Sequence, residues 1–304
     1  MSAPKLGGQA VVVGSSRRFV HLLDKNGATI KAQSSSKAVD LTVGDSVIYG
    51  YRKEDPVVTE ILPAKNYLAR SYRDETKKIA ANLDQLFIVT AVGQLFNTFF
   101  LDRIMTVAAC ESIPYTLVVN KIDLGDQETR ILSDIYERIG IPVVYTSAKA
   151  GKNIELLEQS LRDPDLRIVA LGGISGVGKS TILNQLIPGT ERKTAEVSER
   201  TGQGKQTTTQ AYGYMYERDD AAPLLVIDLP GIQNFGVQHL SKQSVAESFP
   251  EFIERVAECE FDNCSHIGEQ KCAIKDALER GEIAPQRYDS YVRMIDEIEE
   301  AKPY

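Results

Sequence analysis

Eight residues, GISGVGKS from Gly173 to Ser180, carry the clearest chemistry in this chain. They match G-x-x-x-x-G-K-[ST] in full, behind the apolar run LRIVALGG and ahead of the amphipathic run KSTILNQLI. In that setting Gly173 and Gly178 let successive backbone N–H groups, from Ile174 through Val177, curl around phosphate oxygens. The start of a helix at Lys179 adds partial positive charge. Lys179 can reach the β- and γ-phosphates, Ser180 can ligate Mg²⁺, and Thr181 completes the loop. The motif points to a nucleoside triphosphate and leaves ATP and GTP undistinguished.

Asn120, Lys121 and Asp123 make that distinction. They form N-K-x-D at the end of the apolar run YTLVVN, where open α/β sheets place ligands. An aspartate here accepts two hydrogen bonds, from N1–H and the exocyclic amine of guanine, and adenine has no such donor pair. Ser147, Ala148 and Lys149 follow the next strand, where S-A-K supports a guanine through backbone contacts. Asp228 and Gly231 belong to D-L-P-G behind LLVI, which suits an aspartate holding Mg²⁺ through water and a glycine sensing the γ-phosphate. One threonine of Thr207–Thr209, with Thr208 favoured, can complete the Mg²⁺ shell only when the γ-phosphate is present. Apart from the phosphate loop, these motifs taken singly also read as exposed turns or strand edges, but five behind five strands form a set. Their order, base reader first and phosphate loop third, differs from the usual GTPase order by one cut and one join. Such a circular permutation is allowed because domain termini often lie close together. In the permuted domain the strand of Asn120 is expected beside the phosphate-loop strand.

Cys259, Cys264, His266 and Cys272 form C-x4-C-x-H-x5-C. Three thiolates and one imidazole suit a tetrahedral, structural Zn²⁺. The flanking helices read as having few apolar residues near the loop, so metal is expected to supply the missing order. The fourth cysteine, Cys110 in TVAACES, reads as a buried thiol on a helix face.

Behind these motifs stand three kinds of element pattern. Residues 1–70 hold five short strand-like runs separated by Gly, Asp, Asn and Ser turns, the pattern of an OB-fold β-barrel. Residues 71–240 alternate strand and helix, the pattern of a parallel sheet covered on both faces. Residues 241–304 turn helical around the cysteine cluster. The fold class is therefore α/β: a permuted P-loop GTPase domain with a barrel before it and a helical zinc module after it. Residues 1–70 carry 10 Lys+Arg against 6 Asp+Glu, on a chain whose net charge is −7. That imbalance fits either a polyanionic partner or a solvated surface. No run has transmembrane length and the N-terminus lacks a signal-peptide pattern, so a cytoplasmic protein without a membrane partner is expected.

Taken together, the permuted motif order, the barrel, the Cys3His cluster and the stretches KKIAANLDQLFIV and RYDSY resemble the ribosome small subunit-dependent GTPase A family (RsgA) over nearly the whole chain. The resemblance implies a monomer that binds GTP and GDP and the small ribosomal subunit. It also implies a late role in maturation of that subunit and hydrolysis stimulated by it, with both flanking domains touching rRNA. It implies one Zn²⁺, and Mg²⁺ with the nucleotide. Where many GTPases carry a water-orienting glutamine after D-x-x-G, this chain has Ile232, so unaided hydrolysis is expected to be slow. His239 resembles a family histidine proposed for that task. The chain departs from common patterns at Gly176, where potassium-activated GTPases carry Asn, and at Gln206, where the family often has His. The motifs leave room for an ATP-using kinase or ATPase, and for a non-enzymatic RNA-binding switch. The segment Asp228–His239 runs directly into the zinc module, and nucleotide state is expected to be relayed along it.

Overall fold

The computed structural model describes residues 5–16, 19–33, 41–72, 75–190, 211–219, 221–231 and 235–301. Strands β1 (Lys5–Ser15), β2 (Phe19–Asp24), β3 (Thr29–Gln33), β4 (Ser46–Arg52) and β5 (Asp55–Ile61) pair in the order 1-2-3-5-4. A β1–β4 pairing closes them into a barrel. Alternation along β2 and β4 sends Val20, Leu22, Val47 and Tyr49 inward with Ala10, Val12, Ala32 and Val58, a core of the barrel's own.

A hairpin absent from the sequence-based expectation follows: β6 (Tyr67–Tyr72) and β7 (Glu75–Ala81). The stretch KKIAANLDQLFIV therefore contains part of a hairpin strand before it enters the sheet. The central strands are β8 (Gln85–Ala91), β9 (Tyr115–Asn120), β10 (Val143–Tyr145), β11 (Ile168–Gly172), β12 (Tyr212–Tyr216) and β13 (Leu224–Asp228). Their order is β10-β9-β8-β11-β13-β12, parallel except for β12. β11 and β13 are buried at every position, which is why they read as unbroken apolar runs. β12 also meets β1 of the barrel at Gly14↔Tyr212, so one sheet runs through both parts.

One expectation is corrected here. The strand of Asn120, β9, does not lie beside the phosphate-loop strand β11. β8 sits between them, pairing Ile88 with Gly172 on one side and Ala91 with Asn120 on the other. The strand that opens the permuted region fills the middle of the sheet, and Asn120 reaches across its end by side chain.

Helices α1 (Thr98–Cys110), α2 (Gln127–Arg138), α3 (Ile154–Leu161) and α4 (Lys179–Leu186) link the strands. Asn97 caps α1 by accepting from Phe100 N, and Asp126 caps α2 by accepting from Glu128 N. On one face of the sheet α3 and α4 contribute Ile154, Leu157, Leu161, Ile182, Leu183 and Leu186. The other face is covered by α1 together with the C-terminal helices α5 (Lys242–Glu247), α6 (Pro250–Ile253), α7 (Ala273–Glu279) and α8 (Pro285–Glu300). These helices are not poor in apolar residues: Phe249, Phe252, Ile274, Tyr291, Met294 and Ile298 join the α1 core. Their order does not depend on metal alone. Cys110 ends α1 only half-buried, its Sγ donating to Ser244 O at 3.4 Å, rather than sitting within the core. No helix among the described residues is long and apolar enough to cross a membrane.

Candidate functional site

The turn after β11 leads into α4, and its glycines have steric reasons to be glycines. Gly173 takes φ +152° and a Cβ there would lie 2.1 Å from Val89 O; Gly178 takes φ +99° and its Cβ would lie 2.3 Å from Asn120 Nδ2. Asn120 thus occupies the space that a side chain at Gly178 would need. Its Nδ2 donates to Val177 O at 2.9 Å, while its Oδ1 accepts from Ala148 N at 3.0 Å and Thr146 Oγ1 at 3.2 Å. One buried amide ties the N-K-x-D, S-A-K and phosphate loops into a single frame. Lys121, in the left-handed region at φ +63°, spans the same gap and donates from Nζ to Gly176 O at 2.7 Å.

Asp123 stands exposed beyond this frame. A hydrogen bond from Ser147 Oγ at 2.5 Å, aided by Lys149 and Lys121, holds its carboxyl below the ordinary range. It is therefore an anionic, oriented acceptor two residues from Lys121, which lines an open cleft. The cleft, about 350 Å³, is lined by Lys121, Ser175, Gly176, Lys179, Ser180 and Asp228, with Thr181, Leu229 and Gly231 at its walls. That is within the usual size of a small-ligand pocket.

Lys179 Nζ donates to Gly173 O at 2.8 Å and Ile174 O at 3.1 Å, folding back on its own loop. Burial lowers its pKa, and Asp228 works against that. Burial pushes Asp228 up to about 6, moderated by Lys179, and its Oδ1 is buried without a hydrogen-bond partner. An orphaned carboxylate oxygen lining the same cleft as Ser180 supplies oxygen donors suited to a hard divalent cation such as Mg²⁺. Thr207–Thr209, Gln206 and Ile232 lie outside the described residues.

His239 is not in this cleft. Its Nδ1 shares a 2.7 Å hydrogen bond with Ser71 Oγ of β6, and Gly236 bridges Ser71 through paired backbone bonds of 3.1 and 3.2 Å. Its Nε2 is buried without a partner and burial lowers its pKa, favouring the neutral ring. No sequence motif announces Ser71, because the contact joins positions 168 apart.

The ligand atoms of Cys259, Cys264, His266 and Cys272 all lie within 4.8 Å of one another. His266 turns Nδ1 inward, 3.6 Å from Cys259 Sγ and 3.5 Å from Cys272 Sγ. Burial and the neighbouring thiols push Cys264 up to about 12, so holding these sulfurs together as thiolates calls for a cation. The residues fit a four-coordinate Zn²⁺. RYDSY acquires a meaning here: Tyr288 OH donates to His266 O at 2.7 Å and Tyr291 OH to Ser265 O at 2.8 Å, so α8 grips the metal loop.

Comparison with known proteins agrees with this geometry. The sequence model of a family described as RsgA GTPase matches residues 61–238. A protein of Haemophilus influenzae (strain 86-028NP) named small ribosomal subunit biogenesis GTPase RsgA is 36% identical over 272 residues, covering 86% of this chain and 77% of that one. A protein of Bacteroides thetaiotaomicron named small ribosomal subunit biogenesis GTPase RsgA 2 is 34% identical over 294 residues, covering 94% and 92%. Among solved structures, YjeQ from Thermotoga maritima superposes with a TM-score of 0.73 at 30% identity, over 96% of this chain and 98% of that one. YloQ, described as a circularly permuted GTPase, superposes with a TM-score of 0.69 at 25% identity, over 98% and 96%. The permuted motif order is thus the family's own arrangement, and this chain, a GTP-hydrolysing enzyme, belongs to the RsgA GTPase family.

Proposed function

We propose that the chain hydrolyses GTP to GDP and phosphate while bound to the small ribosomal subunit, late in that subunit's maturation. The observation that carries this reading is the Asn120 amide, which wires a guanine-reading loop to a phosphate loop across the sheet. Asp123 accepts from the guanine edge, and Ser147, Ala148 and Lys149 back it. Gly173–Thr181 cradle the phosphates, with Lys179 leaving its loop carbonyls for the β- and γ-phosphate oxygens. Ser180, Asp228 and Thr208 hold Mg²⁺, which when bound neutralises charge on the β- and γ-phosphates. Gly231 meets the γ-phosphate through its backbone.

Residues 1–70 act as the RNA-contacting barrel, 71–240 as the GTPase domain and 241–304 as the zinc module, in a cytoplasmic monomer. Nucleotide state passes from Asp228–Gly231 into the C-terminal helices. Val237 N donates to Glu297 Oε1 of α8 at 3.4 Å, and Phe235 and Val237 are buried in the shared core, which supports that route. Identical zinc-module positions in GTP-like and GDP states on the subunit would refute the relay.

Phosphate release from GTP tests the main reading. It is expected to be slow alone and to rise strongly with purified small subunits. No rise, under conditions where GTP binds, sinks the proposal. Repeating the assay with His239→Ala asks whether the histidine moves from Ser71 into the reaction; an unchanged stimulated rate removes it. Asp123→Asn is expected to weaken guanine and admit xanthine nucleotides by about two orders of magnitude, and tight ATP binding by the unaltered chain favours an ATPase instead.

A further inference from the structure

Few large hydrophobic side chains among the described residues are left in solvent. Of the seven among the described residues, Ile253, Val256 and Phe261 fall within nine positions, with 59%, 37% and 49% of their surface exposed. They span the end of α6, the 3-10 turn Val256–Glu258 and the first part of the metal loop. The backbone there is held: Cys259 N donates to Val256 O at 3.2 Å, Cys264 N to Phe261 O at 3.1 Å and Glu260 N to Lys271 O at 3.4 Å. Two of the metal-ligating cysteines bracket Phe261.

The exposed charges interleaved with this segment have one sign. Glu254, Glu258, Glu260 and Asp262 are exposed. The cations nearby are already engaged. Arg255 donates to Glu251 O at 2.8 Å and pairs with Glu282 at 3.4 Å, while Lys271 pairs with Glu260 at 2.8 Å. Residues 241–304 as a whole carry 15 Asp+Glu against 8 Lys+Arg. RNA binding draws its affinity from cations that neutralise phosphates, and this face offers carboxylates instead. Exposed apolar groups rimmed by charge mark a protein-binding surface, and the sign of the rim selects the partner.

We infer that the exposed segment carrying Ile253, Val256 and Phe261 with Glu254, Glu258 and Asp262 docks a basic polypeptide segment carrying an apolar side chain. RNA is not its ligand. The inference goes beyond the ribosomal reading and is independent of it. Where that reading holds, this face meets a protein component of the particle while the barrel and other parts of the zinc module meet RNA.

The test uses the full zinc-loaded chain and three fluorescein-labelled probes: a short peptide alternating Arg and Leu, one of equal charge alternating Arg and Ser, and a short single-stranded RNA. The Arg–Leu peptide is expected to bind about tenfold more tightly than the Arg–Ser peptide. Phe261→Ser and Ile253→Ser are each expected to weaken it severalfold, and Glu258→Lys with Asp262→Lys by about tenfold, at unchanged zinc content and Tm. RNA binding is expected to be unaffected or strengthened by the charge reversal. Equal affinity for the two peptides, or peptide binding that survives all the substitutions, overturns the inference. So does RNA binding that is lost with them. If Phe261→Ser loses zinc, Ile253→Ser, in α6 and outside the metal loop, decides. The assay needs neither ribosome nor nucleotide, so its failure is separable from failure of the proposed function.

Discussion

Asp228 shows what the cleft sacrifices in order to be ready for its ligand. Its carboxylate is buried, one oxygen has no hydrogen-bond donor, and the Lys179 ammonium that offsets it is itself bonded to loop carbonyls. A buried charge left short of partners destabilises the fold that holds it. Asp228→Asn is therefore expected to raise the stability of the nucleotide-free protein by about 1–2 kcal/mol, read from chemical denaturation in chelator. The same variant is expected to lose Mg²⁺-dependent GTP turnover. A destabilised Asp228→Asn would show that the carboxylate has a structural partner the cleft geometry does not reveal. At this scale the sequence was informative wherever chemistry demands a fixed residue type at a fixed backbone place, as in Gly173–Ser180 and Asn120–Asp123. It was silent on the reason Gly178 must be glycine, because the atom it avoids belongs to Asn120 from another strand. It was equally silent on Ser71, whose hydroxyl engages His239 through tertiary packing and no local pattern.

Elements are joined by charges that the sheet cannot hold alone. Arg287 of α8 is buried between two carboxylates, bonding Asp102 of α1 at 2.6 Å and Glu251 of α6 at 2.8 Å; Tyr136 of α2 donates to the same Asp102 at 2.9 Å. Removing the central cation leaves two carboxylates buried and uncompensated. Arg287→Leu is expected to cost about 3–5 kcal/mol in urea unfolding, and Asp102→Asn with Glu251→Gln added to it to recover part of that. No recovery would mean that the loss came from packing against Phe249 rather than from charge. A second clamp ties the start of β8 to the start of β11. Asp84, before β8, accepts from Arg167 N at 2.7 Å and Ile168 N at 2.8 Å and pairs with Lys65. Burial works to raise its pKa, but these bonds outweigh it and leave it lowered. A depressed carboxyl stabilises the fold above its unfolded value and stops doing so as pH falls through the folded value. The stability gap between wild type and Asp84→Ala is expected to be about 2 kcal/mol near neutrality and to close below about pH 4. A gap constant down to pH 3 refutes the assignment. Strands β8, β11 and β13 were legible as apolar runs because both their faces are covered. The β6–β7 hairpin was not, since in β7 Glu75–Lys78 are exposed and polar and only that strand's end carries buried Ile79–Ala81. The apolar residues of α5–α8 are dispersed along polar helices and become a core only when α1 is placed against them.

Across the whole molecule, charge is graded from end to end. The first 70 residues hold 10 Lys+Arg against 6 Asp+Glu, and residues 241–304 hold 8 against 15. The two ends are fixed relative to one another. The barrel is tied to the hairpin and its exit through Ala81 N to Val43 O at 2.9 Å and Asn82 Nδ2 to Gly44 O at 2.9 Å, while α8 is tied to α1 by the Arg287 network and by Arg103–Glu297. On the proposed function, a polyanionic particle would meet an oriented dipole with the barrel end leading. Each phosphate neutralised by a Lys or Arg steepens the fall of log K with log[salt] by somewhat under one unit. Lys25→Glu with Lys31→Glu, on the barrel, is expected to flatten that slope for small-subunit binding by roughly one to two units. Glu258→Lys with Asp262→Lys, at the other end, is expected to leave the slope unchanged or steepen it while weakening any protein-mediated contact. The measurement is sedimentation binding over a salt series, with each variant's Tm as the folding control. If the barrel variant keeps the wild-type slope while the C-terminal variant flattens it, the polarity is reversed and the acidic module, against its charge, is the end that touches RNA.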